Sequence, residues 1–148
     1  MTYGPTDLTE NQQQVINLIK QKCIRGKVLC DFLAQEEVLQ IMICADLHIT
    51  VIRTDAFSGV MQENIYTGSF VIYGKWLNYY ELERSQIIAQ PIDDISDVTK
   101  TLEYVITNYE TIKLKLNNNK ALISNLSAPN SIKERWWKNV FAYKGAPY

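Results

Sequence analysis

The 148-residue sequence predicts an α/β domain: a doubly wound parallel sheet followed by a helical C-terminal tail. Three observations carry that prediction. Short apolar runs alternate with helical patterns over residues 1–92, and strands separated by helices need crossover connections, which are right-handed and make the sheet parallel. Runs such as FVIYG are apolar without alternation, as in strands buried on both faces. From Ser96 onward the pattern is helical only.

The elements follow in order. MTYG reads as a strand stub stopped at Gly4-Pro5. LTENQQQVINLIKQKCIRG reads as a helix with Thr9 as N-cap, Gln12 completing a capping box, an apolar stripe of Val15, Ile16, Leu18, Ile19 and Cys23, and Gly26 as the stop. KVLCDFL is the next strand, and AQEEVLQIMICA a helix with Glu36 and Glu37 in its first turn, where the helix dipole favours them. DLHITVI, SFVIYG and QIIAQPI read as strands, separated by the helices SGVMQENIYTG and LNYYELERS. Asp93 and Asp94 read as the entry to the helical tail, where Pro129-Asn130-Ser131 with Glu134 signals a last capped helix. The tract Asn117 to Asn119 is too short to count as low complexity.

Composition narrows the function classes. The formal net charge of −1 offers no general attraction to phosphate backbones or anionic lipid, so neither nucleic acid nor a membrane is an expected partner. No apolar run reaches the roughly 20 residues that span a bilayer, and the first ten residues lack the basic and apolar regions of a signal peptide. Cys23, Cys30 and Cys44 match no metal spacing and read as free, buried thiols, so a cytoplasmic location is expected. The lone His48 sits mid-strand without a triad partner and reads as a core histidine. Trp136 and Trp137 lie about 100° apart on a helix, so ERWWKNVFAY is read as packing against protein rather than lying on a membrane.

The stretch TDAFSGVMQE carries the candidate chemistry. It lies where a strand ends near Ile52 and a helix begins at Ser58 or Gly59, and ligands of open α/β sheets bind beyond the carboxyl ends of strands. Free amides at Ser58, Gly59 and Val60 would hold a diphosphate, with Gly59 allowing close backbone approach. Glu63, one turn further, would accept hydrogen bonds from the two vicinal hydroxyls of a ribose. Asp55, before the helix, would reach hydroxyls of a sugar. The competing readings are a solvated helix acid for Glu63, a cap-region residue for Asp55 and a plain N-cap for Ser58.

The spacing from Asp55 to Glu63, with seven residues between, resembles the acid-x7-Glu motif of nucleotide-sugar-dependent glycosyltransferases of the two-domain GT-B fold. ADLHITVIRTDAFSGVMQENIYTGSFVIYGKWLNY looks like the centre of their C-terminal, donor-binding domain, particularly in enzymes that build bacterial surface polysaccharides. The resemblance implies a Rossmann-like donor-binding unit over residues 1–95, expected to be N-terminally truncated; the helical tail of residues 96–148, similar in kind only, is read as packed on the same domain. The same resemblance implies that Glu63 binds the donor ribose and that Asp55 contacts the transferred sugar; Thr54 is read with Ser58, Gly59 and Val60 as part of the nucleotide site. Backbone near Phe32 and Leu33 would meet the nucleobase. It further implies a nucleotide sugar as substrate, no cofactor and no obligatory metal, and an N-terminal acceptor-binding domain as partner, without which transfer is not expected.

Two features depart from that pattern. The family's first acid is usually Glu, here the shorter Asp55, and its basic pair for the diphosphate has no counterpart; Arg53 and Lys75 are the nearest cations. A reading of a different class is a non-enzymatic Rossmann-like nucleotide-binding, effector-binding or interaction module. A phosphoacceptor version of it fits poorly, because Asp31 and Asp46 do not form the acidic arrangement it needs. A third reading is a shortened chain that only forms a homodimer through its cleft face.

Overall fold

The computed structural model describes residues 9–22, 25–29 and 31–136, so the MTYG strand, Cys23, Cys30 and Trp137 onward lie outside the described residues. The chain divides into two compact units, Met1–Val38 and Leu39–Tyr148.

In the first unit, helix α1 spans Glu10–Lys22, and the Thr9 carbonyl accepts from Gln13 N–H at the expected start. Ile16 is buried and Ile19 half-buried, whereas Val15 and Leu18 of the predicted stripe are exposed. Helix α2 spans Gln35–Cys44 across the division, and the Glu37 carboxylate accepts from Ala34 N–H at 2.8 Å, capping its start. The strand expected at KVLCDFL is not formed: residues 27–29 and 31–33 are irregular. The run has strand-like composition, but Leu29 is exposed and Phe32 is 75% exposed, so it lacks the burial that holds a strand.

The second unit holds a parallel sheet of three strands in the order β1-β2-β3, with β1 Leu47–Thr50, β2 Phe70–Gly74 and β3 Gln90–Ile92. Leu47 pairs with Phe70 and Ile72 with Gln90. The order follows the chain without reversal, so no topological switch point lies among the described strands. Helix α3, Gly59–Thr67, connects β1 to β2, and the short α4, Tyr80–Arg84, connects β2 to β3. The tail comprises α5 Asp97–Thr107, α6 Tyr109–Lys115, α7 Asn119–Ser127 and α8 Pro129–Trp136. Pro129 takes the first helical position, where its missing N–H costs nothing, so Ser131 lies inside α8 and is not its cap.

β2 is buried at every residue because both of its faces are covered. Val71 and Tyr73 join Met61 and Ile65 of α3, Leu82 of α4 and Ile123 of α7 in one cluster. Phe70 and Ile72 join Ile92, Val105 of α5 and Ile112 of α6 in a second. Each fully buried Ile, Leu or Met contributes roughly 1.5–3 kcal/mol, and α3, whose start forms the candidate site, is held between the sheet and α7.

On α2, Met42 is buried and Cys44 is exposed, against the expectation of a buried thiol. Asp93-Asp94 does form the entry to α5: Asp94 Oδ1 accepts from the amide and hydroxyl of Ser96, which hold its carboxyl below the usual range. No helix among the described residues is long and apolar enough to cross a membrane.

Candidate functional site

The site lies at the carboxyl end of β1, where residues 51–58 lead into α3. Ser58 is the N-cap of α3, its Oγ accepting from Met61 N–H at 3.3 Å. That leaves the Gly59 and Val60 amides among the donors for which a helix start supplies no carbonyl. A Cβ at Gly59 would meet nothing within 4 Å, and its φ is not positive. The fold therefore places no demand for glycine there, and the space beside it is open. Glu63 lies four residues on, so it shares a helix face with Gly59, about 6 Å along the axis. Val60, Glu63 and Tyr66 are exposed, while Met61, Asn64 and Ile65 turn inward. Among the described residues Glu63 makes no ion pair or side-chain hydrogen bond.

Asp55 is placed differently. It is half-buried, its Oδ1 accepting from Ala56 N–H at 2.8 Å and its Oδ2 from the Tyr79 hydroxyl at 2.6 Å. The Tyr79 hydroxyl beside it, helped by the Ala56 and Phe57 amides and the Ser58 hydroxyl, holds its carboxyl below the usual carboxylate range despite the opposing effect of burial. The Tyr79 phenol is pushed well above its ordinary value by burial and then by the Asp55 carboxylate. Thr54 and Arg53 are exposed in the same loop.

Three further contacts, none signalled by local sequence, tie this loop to the fold. Trp76 Nε1 donates to Ile52 O at 2.8 Å, across the ends of β1 and β2. Gln62 Nε2 donates to Phe57 O at 2.9 Å. Phe57 has φ 127°, a left-handed value uncommon for a bulky side chain, and its ring meets Tyr79 edge-on at 5.5 Å.

Lys75 lies 3.0 Å from Asp93 across the ends of β2 and β3, and this hydrogen-bonded carboxylate raises its pKa. Its charge is thus already matched, leaving Arg53 as the unpaired cation of the loop among the described residues. Phe32 and Leu33 belong to the irregular segment of the first unit rather than to a strand end. His48 on β1 is half-buried, and burial lowers its pKa, which fits a neutral histidine within the fold. No group of three or more potential metal ligands occurs among the described residues.

A cleft of about 490 Å³ opens at the other end of the sheet, by the amino end of β1, lined by Asp46, Asn108, Tyr109 and Glu110 among others. The Tyr109 hydroxyl donates to Asp46 Oδ1 at 2.5 Å, and burial followed by that carboxylate pushes its pKa up to about 12. The bond needs the protonated phenol. Its contribution is therefore full below the ordinary phenol range near 10 and is lost as pH rises through about 12. Tyr109→Phe is expected to remove phenolate absorbance that develops near pH 12 in the native chain; a loss confined to the range near 10 would show that the bond does not form.

Comparison of the chain with protein-family models, with curated proteins and with solved structures returned no match.

Proposed function

We propose that the chain is the nucleotide-sugar donor-binding portion of a cytoplasmic GT-B glycosyltransferase, with the Rossmann-like sheet as half of that fold. The reaction would transfer a sugar from a nucleoside-diphosphate sugar to a saccharide hydroxyl, which gives up its proton as the nucleoside diphosphate leaves, without an obligatory metal. The observation that supports this best is the α3 start: two amides that no helix carbonyl meets, an open position at Gly59 and, on the face of Gly59, an exposed Glu63 unpaired among the described residues. Amides at a helix N-terminus favour a diphosphate. A carboxylate one turn further would repel phosphate but can accept both hydroxyls of a vicinal diol, and the two lie about 6 Å apart, the scale of one nucleotide.

Transfer needs an acceptor held in line with the donor, which in this fold is the work of a second domain and its closure. The chain is accordingly expected to bind nucleotide and to show little transfer without that partner. A thermal-shift panel of UDP, GDP, CDP, dTDP and ADP tests the assignment. One nucleotide should raise the melting temperature, and Glu63→Ala should weaken its binding tenfold or more, since a charge-assisted hydrogen bond is worth roughly 1.5–3 kcal/mol. Gly59→Ala should fold normally and also bind more weakly, because its methyl enters the open space. Unchanged affinity in both variants would remove the site from consideration.

A non-enzymatic nucleotide-binding module would use the same amides and Glu63. It differs in showing no transfer when an acceptor domain is supplied.

A further inference from the structure

We propose that Tyr79 is a positioning residue for the donor site and that Asp55 is its latch rather than a ligand of the transferred sugar. This rests on the donor-site reading above. A carboxylate has about four acceptor positions, and each oxygen of Asp55 already accepts from a donor of its own chain. The Tyr79 hydroxyl lies 2.6 Å away and the Ala56 amide 2.8 Å away, while the Phe57 amide and Ser58 hydroxyl also favour its charged form.

Tyr79 is well placed to fix the loop. It is 3% exposed and packs on Tyr73 and Phe57, each with ring centroids 5.5 Å apart. Its hydroxyl bonds the latch acid, and its ring packs on Phe57, the residue before the N-cap of α3. Trp76, three residues earlier, holds the start of the same loop through Ile52 O. The segment after β2 therefore sets the position of the segment after β1. Pre-ordering of this kind raises affinity by removing the cost of fixing the loop when a ligand arrives. Glu63, unpaired among the described residues, remains the ligand carboxylate.

A latch and a sugar ligand give different results when the probes are a plain nucleoside diphosphate and its sugar conjugate. With UDP and UDP-glucose, or the matching pair for whichever base the chain takes, Tyr79→Phe is expected to weaken both about threefold to tenfold, the range of one net hydrogen bond. Asp55→Ala should weaken both at least as much, and the double variant no more than Asp55→Ala alone. If Asp55→Ala weakens only UDP-glucose and Tyr79→Phe weakens neither, Asp55 is a sugar ligand and the latch is overturned.

Amide hydrogen exchange over residues 53–60 tests the latch without any ligand. Exchange in Tyr79→Phe and Asp55→Ala should rise in that segment while β2 stays protected. Unchanged exchange there overturns the proposal. If the native chain binds no nucleotide but the loop loses protection in both variants, the donor-site reading fails while the latch stands.

Discussion

Replacing Asn119 by alanine is expected to destabilise the chain by about 2–4 kcal/mol, as measured by urea denaturation followed by far-ultraviolet circular dichroism. Asn119 opens α7 and is 1% exposed. Its Oδ1 accepts from Ile88 N–H at 2.9 Å and its Nδ2 donates to Ile88 O at 2.8 Å, so the amide pairs with the chain leading into β3 as a neighbouring strand would. Alanine removes both bonds at once, strands two backbone groups beneath the helix and leaves a small void. Each lost bond counts for about 1 kcal/mol, and each stranded group adds to that. Asn119→Asp should be no milder: it can accept from Ile88 N–H, but its second oxygen then faces Ile88 O in a site where a charge is poorly solvated. A loss below about 1 kcal/mol for alanine would mean that α7 is held by its apolar contacts with α3 alone.

Gly74→Ala is the second large effect, with an expected loss of about 2–4 kcal/mol in the same measurement. Gly74 ends β2 with φ −70° and ψ 124°, which any residue can adopt, so conformational freedom does not explain its presence. The reason is steric. The Trp76 indole folds back over the Gly74 backbone, so a Cβ there would overlap the ring at Cζ2 and Cε2 and stand 2.6 Å from Cη2. The ring has little freedom to move aside, because it packs against both apolar clusters and its Nε1 is bonded to Ile52 O at 2.8 Å. Overpacking typically costs about 1–3 kcal/mol, and displacing the indole adds its hydrogen bond. The same displacement would loosen the 51–58 loop, so weaker nucleotide binding should accompany the loss of stability. A Gly74→Ala chain as stable as the native one would mean that the indole can leave this position freely.

The candidate site was legible in sequence to the extent that its parts are local. The strand before residue 52, the helix beginning at Ser58-Gly59 and the buried run FVIYG all appear where local pattern predicts them, within one or two residues. Ser58 caps the helix as its type and place suggest. The long helical stretch after Ser96 is also present, but it is broken after Thr107, where the Asn108 side chain bonds back to Tyr104 O, and again by a 3-10 turn at Leu116–Asn118. KVLCDFL shows the opposite error: apolar composition alone suggests a strand, and without burial none forms among its described residues.

By itself, the sequence determined the α/β class, the strand–loop–helix junction at residues 47–67 and the place of Glu63 on the first two turns of α3, because periodicity and capping act over a few residues. Only the tertiary structure decided that Asp55 bonds to Tyr79, that Trp76 holds Ile52, and that Asn119 pairs with Ile88. These partners stand 24, 24 and 31 residues apart. They meet because β1 and β2 run parallel and end side by side, and because α7 returns to cover α3. That juxtaposition depends on strand register and helix packing, which no short window of sequence contains.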